Sequence, residues 1–340
     1  MFVDNVKNTP PKKPESVWRI VSAGFDRVTA NPLLIVPPLM LDMFLWIGPR
    51  LTSTELIRQV SVWGREVVDD AVSLDPHMFD QAQVNVVFDF LQELSTRINF
   101  FWGLSNLPVS IPSSMVGWLP FIPGRMPATN PLGALYQIDL PAHGLVLLIA
   151  LISMSIIGLG FGTAYQRWIA QKVFEPGAVA AFRVGLMHIV LMASMMLTGA
   201  GFALLGLSVI SMVLTWLLGA AGSWLATFFT FSLFFSVGIY FFFTPHGILA
   251  KKSTLLRAML ESFNIVRWNM SGTLGFILLS GCITYFTNWV WLLPEDQSWF
   301  VLLGLVGHAV ISTTLVAASY VFYKDRTAWL EQLRSSLQAG

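Results

Sequence analysis

The chain of 340 residues is 55% hydrophobic and carries charge at only 11% of its positions, with 20 Lys and Arg against 19 Asp and Glu. Soluble domains carry charge at roughly 25% of positions, so a water-soluble enzyme and a disordered chain are excluded, and the even charge balance excludes a nucleic-acid-binding surface. The single cysteine, Cys282, excludes an internal disulfide, and what remains is an all-α polytopic membrane protein, in keeping with a mean hydropathy of +0.66.

Residues 1–30 are polar and Lys-bearing, without a signal-peptide core and cleavage site or a Met-Gly start, so the first span is expected to be retained. Ser16 to Ala30 places Val17, Ile20, Val21, Phe25 and Val28 at largely helical spacing, with Arg19, Asp26 and Arg27 elsewhere. A hydrocarbon core about 30 Å thick needs roughly 20 apolar residues. Residues 31–50 supply the first such run, broken by Pro37, Pro38 and the charge of Asp42.

Residues 51–143 form the one long loop. Thr52 to Trp102 reads as two helices broken near Asp75-Pro76, the second carrying Phe79, Val86, Val87, Phe90, Leu91 and Leu94. Gly103 to Pro141 holds seven prolines, which forbid a continuous helix. Trp118, Leu119, Phe121 and Ile122 would be awkward in water, so this part is expected on the outer bilayer surface or as a cap on the bundle. A docking surface for a partner is the sharper alternative.

Residues 144–323 read as a five-helix membrane region, followed by a tail at 324–340. Gly144 to Gln166 is uncharged, and no Lys, Arg, Asp or Glu lies between Arg183 and Lys251, which fits two spans turning at Gly219-Ala220-Ala221-Gly222-Ser223. Ser271 to Leu293 and Trp299 to Tyr323 complete six spans, separated by Pro294-Glu295-Asp296. Each odd span follows an amphipathic segment: 16–30, a shorter one at 176–184, and 253–269. The last has Leu255, Leu256, Met259, Leu260, Phe263 and Val266 on its apolar side. The plan is three hairpins with amphipathic lead-in helices, either lying in the headgroup plane or packed as connectors beneath the bundle. Arg19, Arg27, Lys251, Lys252, Arg257 and Arg267 are the expected membrane-surface or lipid-headgroup contacts.

With both termini cytoplasmic, 15 of the Lys and Arg residues fall on one side, and the loops between spans three and four and between five and six hold none. The expected placement is therefore a bacterial cytoplasmic (inner) membrane with residues 51–143 outside.

Asp42 is the only carboxylate inside a span, and an intramembrane acid is a functional candidate by default. It and His308 lie at comparable depths, on the order of 10–14 Å from the outer ends of spans one and six. They are expected to pair, as a proton-linked site or a polar clamp; the alternative is that Asp42 snorkels or meets water in a vestibule widened by Pro37 and Pro38. His143, His188 and His246 are isolated, and no His, Cys, Asp and Glu cluster has metal-ligand spacing. Gly158, Gly160 and Gly162 lack the third glycine and preceding strand of a dinucleotide loop and suit close helix packing, as do Gly199, Gly201 and Gly206. The sequon Asn269-Met270-Ser271 falls on the cytoplasmic side and should be silent.

One stretch resembles a known family. Thr244-Pro245 through Lys252, then Ala258, Ser262, Val266, Arg267 and Asn269, and the Ala30-Asn31-Pro32 approach to span one are similar to the bacterial six-helix membrane domain associated with some glycerophosphodiester phosphodiesterases and its stand-alone relatives. The resemblance implies six spans and no activity; the soluble phosphodiesterase domain is absent from these residues, so no catalytic residue carries over. With no catalytic constellation and no cofactor expected, two functions remain open. One is a non-enzymatic interaction or scaffold component with a bilayer environment and a membrane protein partner or homo-oligomer. The other is a transporter or channel for a small solute, ion or lipid.

Overall fold

The computed structural model describes residues 13–74, 84–89, 91, 99–105, 109–116, 129–134, 136–175 and 177–339. The chain is an all-α polytopic membrane protein. Among the described residues five helices are long and apolar enough to cross a bilayer: Gly144–Val173, Phe182–Leu218, Ala221–Lys251, Met270–Trp291 and Val301–Ser336. A sixth span counts if α1 (Val17–Thr29) and the following helix, bent by 99° from it, are taken together.

That first membrane segment is shorter than its apolar run. It is a 3-10 turn, Pro32–Ile35, and α2 (Val36–Ile47), together about 25 Å long. It stops before Arg50 because Pro49 disfavours helical backbone at Gly48, which is extended at ψ −179°. Arg50–Thr52 leaves as strand β1, paired in parallel with Gln137–Asp139 (β4); Thr129–Asn130 (β2) and Gly133–Ala134 (β3) form a small antiparallel pair.

The backbone divides into two compact units: residues up to Leu34 with Thr163–Ile283 and Thr313–Gly340, and Ile35–Gly162 with Thr284–Ser312. In the first, Ile20, Phe243, Ile265, Val266, Phe276, Phe322 and Tyr323 form the core. The lead-in α1 buries Ile20, Gly24 and Val28. A Cβ on Gly24 would lie 2.7 Å from Ala318 Cβ, so the glycine lets α1 lie directly on the last helix, α10 (Val301–Ala339). Helices α5 (Phe182–Leu218) and α6 (Ala220–Phe241) make a hairpin turning at Gly219, whose φ of +61° suits glycine.

The lead-in pattern holds at the first and third hairpins and fails at the second. No helix is formed by the described residues between α4 (Gly144–Val173) and Phe182. Glu175 precedes Pro176 and is followed closely by Gly177, which breaks helical continuity. The segment is tied down instead by Ala180 N–H donating to Leu249 O at 2.8 Å and Arg167 Nε donating to Ala180 O at 2.7 Å.

At the third hairpin, α7 (Thr244–Lys251) leads into α8 (Leu255–Trp268), then α9 (Met270–Trp291). The apolar side expected of α8 is divided. Leu255 and Val266 are buried beside Ala258, Ser262 and Ile265, while Leu256 and Leu260 are 71% and 64% exposed. Small residues decide which side packs: a Cβ on Gly247 would meet Ala258 Cβ at 3.0 Å. The helix is thus both a packed connector and a carrier of free apolar surface.

In the second unit, α3 (Thr54–Leu74) is the first of the two helices expected in the long loop. Residues 84–89 of the second are helical, while the expected break at Asp75-Pro76 and the apolar group Trp118, Leu119, Phe121 and Ile122 lie outside the described residues. Asp139 on β4 caps α3 from across the loop. It accepts from Thr54 N–H at 2.9 Å, Thr54 Oγ1 at 2.6 Å and Thr52 Oγ1 at 3.2 Å. The Thr54 hydroxyl above all holds the Asp139 carboxyl below the usual range, against a smaller opposing effect of burial. In the same turn Glu55 is held down to about 2, chiefly by its hydrogen bond from Arg58 and then by that from Gln59.

A depressed carboxyl adds stability above its unfolded pKa and loses it as pH falls through its folded value. Protection of the α3 amides against hydrogen exchange should therefore be flat from pH 7 to 5 and weaken below about 4. Asp139→Asn should remove the Asp139 share of that acid dependence, leaving the Glu55 share, and cost about 0.5–1 kcal/mol, the low end for an exposed cap. An unchanged pH profile in the variant would assign the acid dependence elsewhere.

The described part of the Pro-rich half packs against a membrane helix. A 3-10 turn, Phe100–Leu104, starts a segment that runs along α4. A Cβ on Gly158 would lie 2.7 Å from Gly103 O, and one on Gly162 would lie 2.1 Å from Val109 O. Gly162 is about 27 Å along α4 from its first residue. Irregular backbone packed against an apolar helix needs its hydrogen bonds met within the protein. Ser105 Oγ donates to Ile111 O at 2.6 Å and Ser110 Oγ to Ser105 O at 2.8 Å, meeting part of that need.

Candidate functional site

The inserted segment ends on Asp42. The α2 helix carries Asp42 with no exposed surface, and α10 presents His308, 5% exposed. His308 Nδ1 lies 3.0 Å from Asp42 Oδ2. The turn at Ser113 and Ser114 supplies the other partners: Ser113 Oγ donates to Oδ1 at 2.5 Å, Ser114 N–H to Oδ1 at 3.0 Å, and Ser114 Oγ to Oδ2 at 2.8 Å. Four partner groups therefore meet the roughly four lone-pair positions of the carboxylate, with the Ser114 N–H shared to Oδ2 at 3.3 Å.

Apolar groups seal the site. Leu45, Trp46, Trp102, Met115, Val301 and Leu305 form one buried cluster. Trp46 is fixed by its Nε1–H donating to Asp296 O at 3.3 Å, by Asn130 Nδ2 donating to its carbonyl at 3.3 Å, and by an edge-on Trp299 ring at 5.9 Å. Gly304 and Gly307 let Trp291 lie close against α10 beside His308. Water exclusion strengthens every hydrogen bond to the acid. An ion so buried would be costly if any one partner were missing. The arrangement can hold three separate stretches of chain together: the first membrane helix, the inserted loop and the last helix.

Asp42 and His308 are thus brought together as their depths suggest, and the vestibule alternative does not describe this carboxylate. Ser113 and Ser114 were not expected. Two adjacent hydroxyls between Pro112 and Met115, in an apolar stretch, are the signal that could have pointed to them.

A second buried polar layer lies in the other unit and also escapes the sequence. His246 Nε2 is 2.8 Å from Ser319 Oγ, Tyr320 Oη donates to Gln166 Oε1 at 3.2 Å, and Tyr165 Oη is 2.8 Å from Thr313 Oγ1. The His246 ring is enclosed by Phe242, Phe243, Tyr320 and Tyr323, with the Tyr320 ring at 4.3 Å. Its Nδ1 is buried without a partner. Ser319→Ala would leave the imidazole with no hydrogen bond and should cost about 1–3 kcal/mol of stability, read as a lowered midpoint in detergent unfolding.

His188 is half-buried and contacts its own helix at Val184 O, 2.9 Å away. Among the described residues no group of three or more His, Cys, Asp and Glu could hold a metal ion. Gly158 and Gly162 accept loop backbone rather than a second helix, while nothing lies near Gly160, Gly199, Gly201 or Gly206. Arg19, Arg27, Lys252, Arg257 and Arg267 are all exposed; Arg19 pairs with Glu15 at 3.2 Å, Arg257 with Glu261 at 3.4 Å, and Lys251 with Glu331 at 3.2 Å. No family model matches the chain, and neither a curated protein nor a solved structure is significantly similar to it.

Proposed function

We propose that this integral membrane protein is a non-enzymatic scaffold or interaction component of a bacterial cytoplasmic membrane, with both termini cytoplasmic. In this reading Asp42 is a lock that seats the long loop in the membrane region, so that the rest of residues 51–143 is held on a rigid mount for a membrane protein partner. The observation that supports it is the saturation of Asp42: four protein groups fill its acceptor positions and none of its surface is exposed. A carboxylate that carries protons or a solute needs a position free to exchange. The six-span architecture implied by the resemblance to the phosphodiesterase-associated domain suits the same role.

Proton-linked transport is the second reading, and the 3.0 Å contact between a buried acid and a histidine favours it. Purified protein reconstituted in vesicles loaded with a pH-sensitive dye separates the two. The scaffold reading expects proton flux under an imposed membrane potential equal to that of empty vesicles. A flux that Asp42→Asn abolishes would overturn it in favour of transport.

A further inference from the structure

A cavity of about 550 Å³ opens where α7 meets α8, lined by Lys251, Lys252, Ser253, Thr254, Arg257 and Glu331 among others. Its two acids are engaged: Glu331 by Lys251, and Glu261 by Arg257 and by the Tyr323 hydroxyl at 2.7 Å. Lys252 has no ion-pair partner among the described residues, and the Thr254 side chain makes no capping hydrogen bond at the start of α8. Lys252 also has φ +54°, the one positive φ at a non-glycine among the described residues. It is the left-handed C-cap of α7, with its N–H donating to Gly247 O, which fixes its backbone at the mouth of the cavity. Three cations against two engaged acids leave the cavity positive, with an amine, a hydroxyl and the first-turn N–H groups of α8 available together.

We infer that this cavity binds the phosphate group of an anionic phospholipid. The phosphate chemistry would suit free phosphate equally; the neighbouring apolar surface selects the lipid. Leu256 and Leu260, adjoining Thr254 and Arg257 on the same helix, are exposed, as is Trp268 at its far end. A headgroup in the cavity places its acyl chains along this strip, the arrangement of an interfacial helix. The inference is independent of the role of Asp42.

The test uses the full chain in detergent, titrated with phosphatidylglycerol, phosphatidylcholine and inorganic phosphate, with binding read by native mass spectrometry and thermal stability. Both lipids carry the phosphodiester, but the trimethylammonium of phosphatidylcholine would meet the cavity's excess positive charge, so wild type should retain phosphatidylglycerol about tenfold more tightly. Lys252→Gly removes the amine while accepting the positive φ, so it should fold normally and lose most of that preference; Arg257→Gln should lose part of it. Equal retention of both lipids by wild type, or an unchanged preference in Lys252→Gly, would overturn the inference. Inorganic phosphate that stabilises wild type as strongly as phosphatidylglycerol does would overturn the lipid source.

Discussion

Asp42→Ala should lower the stability of the protein by about 3–5 kcal/mol, since each buried polar group left without its partner costs about 1–3 kcal/mol. The variant leaves His308 Nδ1, the Ser114 N–H and two serine hydroxyls without their acceptor in a site sealed by Trp46, Trp102 and Met115. Asp42→Asn should cost only about 1–2 kcal/mol. Its carbonyl oxygen can still accept from Ser113 and Ser114. Its amide can donate to a rotated Ser114 hydroxyl and to a His308 tautomer with a free Nδ1. Reversible unfolding in mixed micelles gives both values, and the double-mutant cycle of Asp42→Ala with His308→Ala should show coupling of about 1–3 kcal/mol. A carboxylate wetted in a vestibule would instead lose under about 1 kcal/mol in either variant and show no coupling to His308.

The Asp42–His308 contact was legible because a helix converts sequence distance into depth. Both residues sit in apolar runs whose ends the composition marks, so their separation from those ends could be compared directly. The positions of the long helices were legible for the same reason, and Gly219 marks the tight turn of the middle hairpin. Ser113 and Ser114 were not. Their contact with Asp42 depends on where an irregular segment travels, and no period in the sequence encodes that path. The missing lead-in helix before α5 is a failure of a different kind. Residues 176–184 have an apolar and basic mix that suits a short amphipathic helix, but Pro176 and Gly177 outweigh that mix. At α8 only Leu255 and Val266 of the expected apolar side are buried, because the packed side runs through Ala258, Ser262 and Ile265, and hydropathy does not rank Ala258 and Ser262 highly.

The glycines of α4 provide the sharpest test of the inserted loop, because sequence pattern and structure assign them different neighbours. If Gly158 and Gly162 served a helix–helix contact, Gly160, on another face of the same helix, would carry no information about them. In the structure the loop backbone occupies the place of their missing side chains: a Cβ at Gly162 would fall 2.6 Å from Ser110 Cα, and one at Gly158 would fall 2.8 Å from Leu104 Cα, whereas Gly160 has nothing within 4 Å. Backbone cannot swing aside as a long side chain can. Gly158→Ala and Gly162→Ala should therefore each cost about 1–3 kcal/mol through overpacking, while Gly160→Ala should be neutral or stabilising by up to about 1 kcal/mol through helix propensity. Displacement of the loop can be read separately. A cysteine replacing the fully buried Val109, in a Cys282→Ser background, should resist a membrane-permeant maleimide and become reactive when Gly162→Ala is added. Gly160→Ala should leave it protected. Since the same segment ends on Asp42, the Gly162 variant should also weaken the Asp42–His308 coupling measured in the double-mutant cycle, because the Ser113 and Ser114 donors would be withdrawn with the loop. Coupling that survives loop displacement unchanged would show that the acid and histidine hold each other without it, and the lock would then join two helices rather than three stretches of chain.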